Sequence, residues 1–287
     1  MKSGCRTKRA NLYACILAAI SIGYPEAAQC QVSAAMRAQD FGINAAIGLV
    51  TATAWSIVRG HGLTGGFKSG VIGGVAMAAG RQVAATAFNG SGLLGREVSA
   101  AGISLITSTG SDHFAMSFPV GPVRIQFSNG EGIDWRVNAF DAADAIVNIV
   151  GNHTRLDLGL SASSGTFVFR DIRDTFTTGG TTSVEAIGEE ELGNIKLARD
   201  AFYAPGAPHA LYHENVHVLQ DDYFSETVAN PLERAILTRL HVSKRITRHI
   251  DLGVLSSELE LIGNSSIHYP ARPWEREAYA LTPQHDY

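Results

Sequence analysis

Between Phe41 and Gly110 the chain carries about half of its 30 glycines and few charges, and this restricts the folds open to it. Gly62, Gly66, Gly70, Gly74 and Ala78 fall at successive i, i+4 positions. On a helix, that spacing makes a ridge without side chains, along which a second helix can approach closely. Each glycine weakens a helix by about 1 kcal/mol relative to alanine, so helices here must be held by packing rather than by propensity. Ile43–Val58 is an uncharged run of 16 residues, short of the roughly 20 that span a bilayer, and Lys68 interrupts the next run. This favours compact helical packing or peripheral membrane contact through residues 41–110 over true spanning.

The residues ahead of this region read as an export leader. Lys2, Arg6, Lys8 and Arg9 precede an uncharged run from Leu12 to Tyr24, followed by the small residues Ala27, Ala28 and Ser33 to Ala35. Charged, apolar and small segments in that order mark a signal peptide, expected over residues 1–35, and place the mature protein in the periplasm, the cell envelope or the medium. All three cysteines, Cys5, Cys15 and Cys30, lie in it, so the mature body has no thiol for a disulfide or a cysteine metal site. Removing the first 30 residues takes away four positive charges and Glu26, moving the formal charge from −4 to −7. A general nucleic-acid binder would be basic, and no nucleic-acid partner is expected. Arg239, Lys244, Arg245 and Arg248 read as the solvated face of a helix.

Residues 112–174 change character. Phe114, Met116 and Phe118 alternate, as do Val123, Ile125 and Phe127, then Leu156, Leu158 and Leu160, with Phe167 and Phe169 after them. A period of two predicts strands, with turns at Val120–Pro122 and Ser128–Gly132 and a short helix in "NAFDAADAIVNIV" from Asn138. The polar, Gly- and Thr-rich residues 175–193 read as a linker. Beyond it come a short strand at Asn194–Leu197 and further helices. In "NPLERAILTRL", Asn230 is expected as N-cap, Pro231 at the first helical position and Glu233 as its capping-box partner. The expected fold is α+β, with a Gly/Ala-rich helical part at 36–111, a strand-rich middle at 112–174 and a helical metal-binding domain at 194–287.

That last assignment rests on "ALYHENVHVLQDDYF", Ala210 to Phe224. On a helix, His213 and His217 lie one turn apart on one face, so both imidazoles can reach a single ion at about 2.0–2.1 Å. Glu214 projects beside them, where an H-E-x-x-H site places the base that takes a proton from water. His209 would lie about 12 Å along the axis from His217, too far to share the metal. A catalytic zinc takes three protein ligands and an open fourth position. Without cysteine, the third ligand is a carboxylate or histidine, and Glu226, Glu233, Glu258, Glu260, Glu275, Glu277, His241, His249, His268 and His285 are the downstream candidates.

"HENVHVLQ" together with "PWEREAYAL", Pro273 to Leu281, resembles the gluzincin class of zinc metallopeptidases, in which H-E-x-x-H on one helix is followed by E-x-x-A on a second. The resemblance covers Asn194 to Leu281 and is nearest to minimal bacterial domains with H-E-x-x-H-x-x-Q and a later E-x-E-A. It implies Zn2+ held by His213, His217 and Glu275, with Glu214 as general base. Two positions apart on a helix, Glu275 and Glu277 point about 200° from one another, so Glu277 is expected in solvent or paired with Arg276 or Arg272. Tyr279 stands where many members carry Asp, which leaves Asp221 or Asp222 to support the histidines. Tyr223, His268, Tyr269 and His285 are the candidates for stabilising an oxyanion.

Two functions of different class fit these residues. One is a secreted or envelope-associated zinc metallopeptidase acting on a peptide or protein substrate. The other is a non-catalytic envelope structural or binding protein whose C-terminal domain is stabilised by zinc. A third reading makes residues 41–110 a membrane-perturbing element and the C-terminal domain its appendage.

Overall fold

Gly66, Gly70 and Gly74 of the glycine ridge face one neighbouring helix, and a second set, Gly73 and Gly80, faces another. Helices α1 (Ala34–Val58) and α2 (Gly62–Thr86) form an antiparallel hairpin, and α3 (Ser91–Thr107) packs against the other flank of α2. A Cβ on Gly74 would sit 2.4 Å from the Ala45 carbonyl oxygen, and one on Gly48 would sit 2.4 Å from Gly74 Cα. Towards α3, a Cβ on Gly80 would sit 2.4 Å from the Ser99 nitrogen. Only glycine permits backbones this close, and the contacts so gained offset its poor helix propensity. Gly62 is no part of the ridge: it has nothing near its Cβ position and a φ of +72°, and belongs to the turn of the hairpin.

The computed structural model describes residues 34–86, 91–109, 115–128, 132–151, 154–172, 176–178, 181–183, 188–191, 193–197, 207–255 and 273–282. The charged and apolar parts of the expected leader, and all three cysteines, lie outside them. Helix α1 is long and apolar enough to cross a bilayer by length and composition. Its protein-facing side nevertheless carries the buried Asp40, Asn44, Thr51 and Ser56.

Helices stand at both ends of an α+β chain, with sheets between them. Strands β1 (Ala115–Val120), β2 (Val123–Ser128) and β3 (Gly132–Asn138) form an antiparallel meander, and β10 (Ile250–Asp251) adds in parallel to β3. Alternation in β2 marks the strand but inverts the buried face. Arg124 and Gln126 are buried while Phe127 is 44% exposed, because the Arg124 guanidinium turns inward to Asp222 and Glu226. Helix α4 (Ala139–Val150) starts where the sequence places it, with the Asn138 side chain accepting from the amides of Phe140 and Asp141. Its polarity is inverted too: Asp141, Asp144 and Asn148 are buried and Ile146 and Val150 exposed.

The second sheet runs β4 (Thr154–Leu156), β5 (Val168–Asp171), β9 (Asn194–Leu197) and β8 (Gly188–Glu191). The strand expected through Leu156, Leu158 and Leu160 is cut short after Leu156. Asp157 accepts the Leu160 amide and starts helix α5 (Leu158–Ser164), and Gly165 ends it with a φ of +78°. Aspartate as N-cap and a left-handed glycine beyond the last turn override the alternation of leucines. Residues 175–193 are not a plain linker: they hold the β6 (Phe176–Thr178)–β7 (Thr181–Ser183) hairpin and β8, which pairs antiparallel with β9. The second sheet therefore joins strands from both sides of the expected boundary.

Helix α6 (Ala207–Phe224) lies between this sheet and the glycine-rich helices. Ala210 and Val218 pack on Val168, Ile195 and Leu197 of the sheet. Val216 packs with Ala85 of α2 and with Ala278 and Leu281 of α9 (Pro273–Leu281). A helix enclosed in this way is apolar on several sides, which explains the hydrophobic flanks around its histidines.

The chain continues from α6 through a π-helical turn, Ser225–Ala229, directly into α7 (Asn230–Arg239). The N-cap expected at Asn230 is absent: Asn230 has helical φ and ψ of −59° and −44°, and its side chain donates to Glu226. A proline inside a continuing helix clashes with the carbonyl four residues back, and the wider π turn just before Pro231 accommodates it. Glu233 is not a capping-box residue. Its carboxylate accepts from the amides of Leu252, Gly253 and Leu255 and so secures the loop after β10. Helix α8 (Lys244–His249) and the end of α7 carry the exposed Arg239, Lys244, Arg245 and Arg248, a solvated face as expected.

Candidate metal centre

Two helices far apart in sequence supply the centre. Helix α6 presents His213 and His217 one turn apart, and α9 crosses it and presents Glu275 from its first turn. His213 Nε2 lies 3.1 Å from His217 Nε2 and 3.2 Å from Glu275 Oε2, and His217 Nε2 lies 3.4 Å from the same oxygen. Three tetrahedral ligands at 2.0–2.1 Å from one ion stand about 3.4 Å from one another. The triangle is close to that size, and its atoms are of the types that bind a metal. His213, His217 and Glu275 thus form a group able to hold a metal ion.

The hydrogen bond on the far side of His217 fixes which nitrogen faces the centre. Gln220 Oε1 is 2.8 Å from His217 Nδ1. An amide oxygen only accepts, so Nδ1 carries a proton, and the ring that has lost its other proton turns its Nε2 lone pair to the centre. The Gln220 amide nitrogen donates to the Trp274 carbonyl at 3.0 Å and to Glu277 Oε2 at 2.8 Å. Glu277 Oε1 accepts from Arg81 of α2 at 2.5 Å and from Asn44 of α1 at 2.9 Å. A chain of side chains thus runs from the hairpin through Glu277 and Gln220 to His217.

Electrostatics in the metal-free centre follow from this packing. Burial works against a charged His217, but the hydrogen bond and charge of Glu275, the charge of Glu214 and the bond to Gln220 outweigh it and push its pKa up to about 9. Burial would raise the Glu275 carboxyl, yet the hydrogen bonds of His213 and His217 hold it well below the usual carboxylate range. Several atoms bearing lone pairs converge here around shared protons, a position that a cation can take. Glu214 is buried on the same helix, and the Tyr279 ring lies against His213 with centroids 4.6 Å apart.

Of the other residues singled out in the sequence, several have different work. Glu277 is not solvated: it is buried and bound to Arg81. Asp222, five positions beyond His217 on the same α-helix, points about 140° away from it and does not reach the histidines. Asp222 accepts from Arg96 Nε at 2.8 Å and Arg124 at 2.8 Å, and it is Gln220 that supports His217. Asp221 accepts from Ser225. The Tyr223 hydroxyl is engaged with Thr51 at 2.5 Å, in a core of Ala52, Met77, Ile103 and Ile106, where it cannot reach an oxyanion. Glu226 pairs with Arg124, and His249 stacks on Trp135. His241, in the turn after α7, has a φ of +60°. Glu258, Glu260, His268, Tyr269, Arg272 and His285 lie outside the described residues, as does the side chain of His209.

Gln220 was within reach of sequence reasoning, being the Gln of H-E-x-x-H-x-x-Q. Asn44 and Arg81 carried no signal, since nothing local relates them to a helix more than 100 residues away. No protein-family model, characterised relative or solved structure matches the chain.

Proposed function

We propose that the chain is an exported zinc-dependent metallopeptidase of gluzincin type, with His213, His217 and Glu275 as metal ligands and Glu214 as general base. The observation that carries this reading is the triangle of Nε2, Nε2 and Oε2 atoms with edges of 3.1–3.4 Å. Two imidazoles and one carboxylate, without cysteine, are a donor set of catalytic zinc, which keeps a fourth position open. Bound zinc supplies Lewis acidity towards a peptide carbonyl and lowers the pKa of water. The chain's own part is to orient and to move protons. Gln220 holds the His217 ring in one tautomer, Glu277 holds Gln220, and Glu214 takes the proton of the attacking water and delivers it to the leaving amine. A peptide or protein is the substrate.

The same triad joins α6 to α9 across 62 positions of sequence, an observation that also favours a metal serving as a structural staple in a non-catalytic envelope protein. Zinc content and peptide turnover of the purified protein, measured beside Glu214→Gln, separate the two. Metal retained with turnover lost in the variant supports the peptidase. Stoichiometric metal without turnover of a broad peptide library in either form supports the staple.

A further inference from the structure

The tip of the α1–α2 hairpin has its polarity reversed. Thr51 and Ser56 are buried, while Ile57 is 51% exposed, Leu63 67%, Phe67 61% and Ile72 50%. Leu63, Phe67 and Val71 follow at i, i+4 and form one continuous stripe on α2. Small residues hold the hairpin together from within, so its larger apolar side chains are left for the outside. Contiguous exposed apolar surface of this kind marks an interaction site.

The charges around the stripe distinguish among its occupants. Between Asp40 and Glu97 the sequence has no Asp or Glu, while Arg59, His61 and Lys68 are all exposed at this tip. Arg59 donates to the carbonyls of Thr107 at 2.6 Å and Thr109 at 2.5 Å, which anchors the tip to the end of α3. A second copy docked by the same face would bring Arg59 and Lys68 against their own kind. A surface that is apolar at depth and negatively charged at its boundary fits instead.

We infer that the tip of the α1–α2 hairpin is a membrane-binding surface, docking on a bilayer with anionic headgroups by burying Leu63, Phe67 and Ile72 while Lys68 meets the phosphates. Lysine suits this position because its methylene stem can lie along apolar surface while the ammonium stays at the headgroups. The inference stands on the hairpin alone and does not depend on zinc.

The test is co-sedimentation of the full chain with phosphatidylcholine vesicles and with vesicles that also contain phosphatidylglycerol. Binding is expected to the second, weakened by salt. The double variant Phe67→Asp, Ile72→Asp should bind at least about tenfold more weakly, and Lys68→Glu should lose affinity for the anionic vesicles alone. Metal content and circular dichroism equal to the parent's show that the exposed substitutions leave the fold intact. Undiminished binding by the double variant would place the contact elsewhere, for example in residues 1–33, and overturn the inference. So would no vesicle binding by the parent, or a lipid-free dimer that Phe67→Asp dissolves.

Discussion

Glu275 and Glu277 stand two positions apart on α9 and face opposite ways: Glu275 lies 3.2 Å from His213, and Glu277 lies 2.5 Å from Arg81. One carboxylate completes a group able to hold a metal ion and the other is its buried support. Both are less than one-tenth exposed, so neither is a surface glutamate, and their replacement should produce different losses.

Glu275→Gln removes a candidate charged ligand, and zinc affinity measured by competition with a chelating dye should collapse; the metal-free fold also loses the partner of a protonated His217 and should melt lower at pH 7. Glu277→Gln takes the carboxylate from a buried ion pair with Arg81, which keeps its hydrogen bond to Asn44, and the loss should be read as a lowered midpoint in urea. Equal metal loss from both would contradict this division.

Gln220→Ala should weaken zinc about 10–100-fold, the usual effect of removing a hydrogen bond that orients a ligand imidazole. Its unfolding midpoint should move far less than that of Glu277→Gln. Isothermal titration at fixed pH reads the first and urea denaturation the second; unchanged zinc affinity would show that Gln220 does not set the ring of His217.

Zinc bound as proposed would compete with protons for the centre. The metal-free His217 holds its proton up to about pH 9, and zinc needs the neutral ring. Affinity should therefore rise with pH between 7 and 9 and level off above that. In the metal-free protein the sign for stability is the opposite. A raised histidine pKa contributes stability that is complete below the unfolded value near 6.5 and is lost as pH rises through about 9. An affinity that does not change over this range would count against protonation of His217 in the free centre.

How far the centre was legible follows from what each residue depends on. His213, Glu214 and His217 are fixed by one helix, so spacing alone predicts a common face for the histidines with Glu214 about 100° beside His213. Glu275 is on another helix, and the resemblance of "PWEREAYAL" singled it out; the geometry adds that its carboxylate meets both imidazoles. Glu277 was misread because a sequence shows a helical face but not what packs on it, and its partner, Arg81, comes from the glycine-rich hairpin. The same limit inverted β2: alternation marks the strand, but the pull of Asp222 and Glu226 on Arg124 decides which face is inside. Asn230 and Pro231 carried a genuine start signal, overridden because the π turn keeps the helix continuous.

Asp222 gives a prediction away from the metal. Burial would raise its carboxyl, but Arg96 and Arg124 hold it below the usual range. Asp222→Asn leaves two buried guanidinium groups short of a partner and should destabilise the protein by about 3–5 kcal/mol. In the parent the contribution is present above the unfolded value near 3.9 and lost as pH falls through the lower folded value. Denaturant midpoints at pH 7 and in acid, for parent and variant, check both; the gap should narrow at low pH.

The central claim is that Glu214 moves protons for a zinc bound by its neighbours, and one comparison addresses it most directly: peptide-library turnover by the parent and Glu214→Gln, each loaded to one zinc per chain. The account predicts cleavage by the parent and a fall of about 100-fold or more in the variant at equal metal content. Equal turnover by the two zinc-loaded proteins would contradict it.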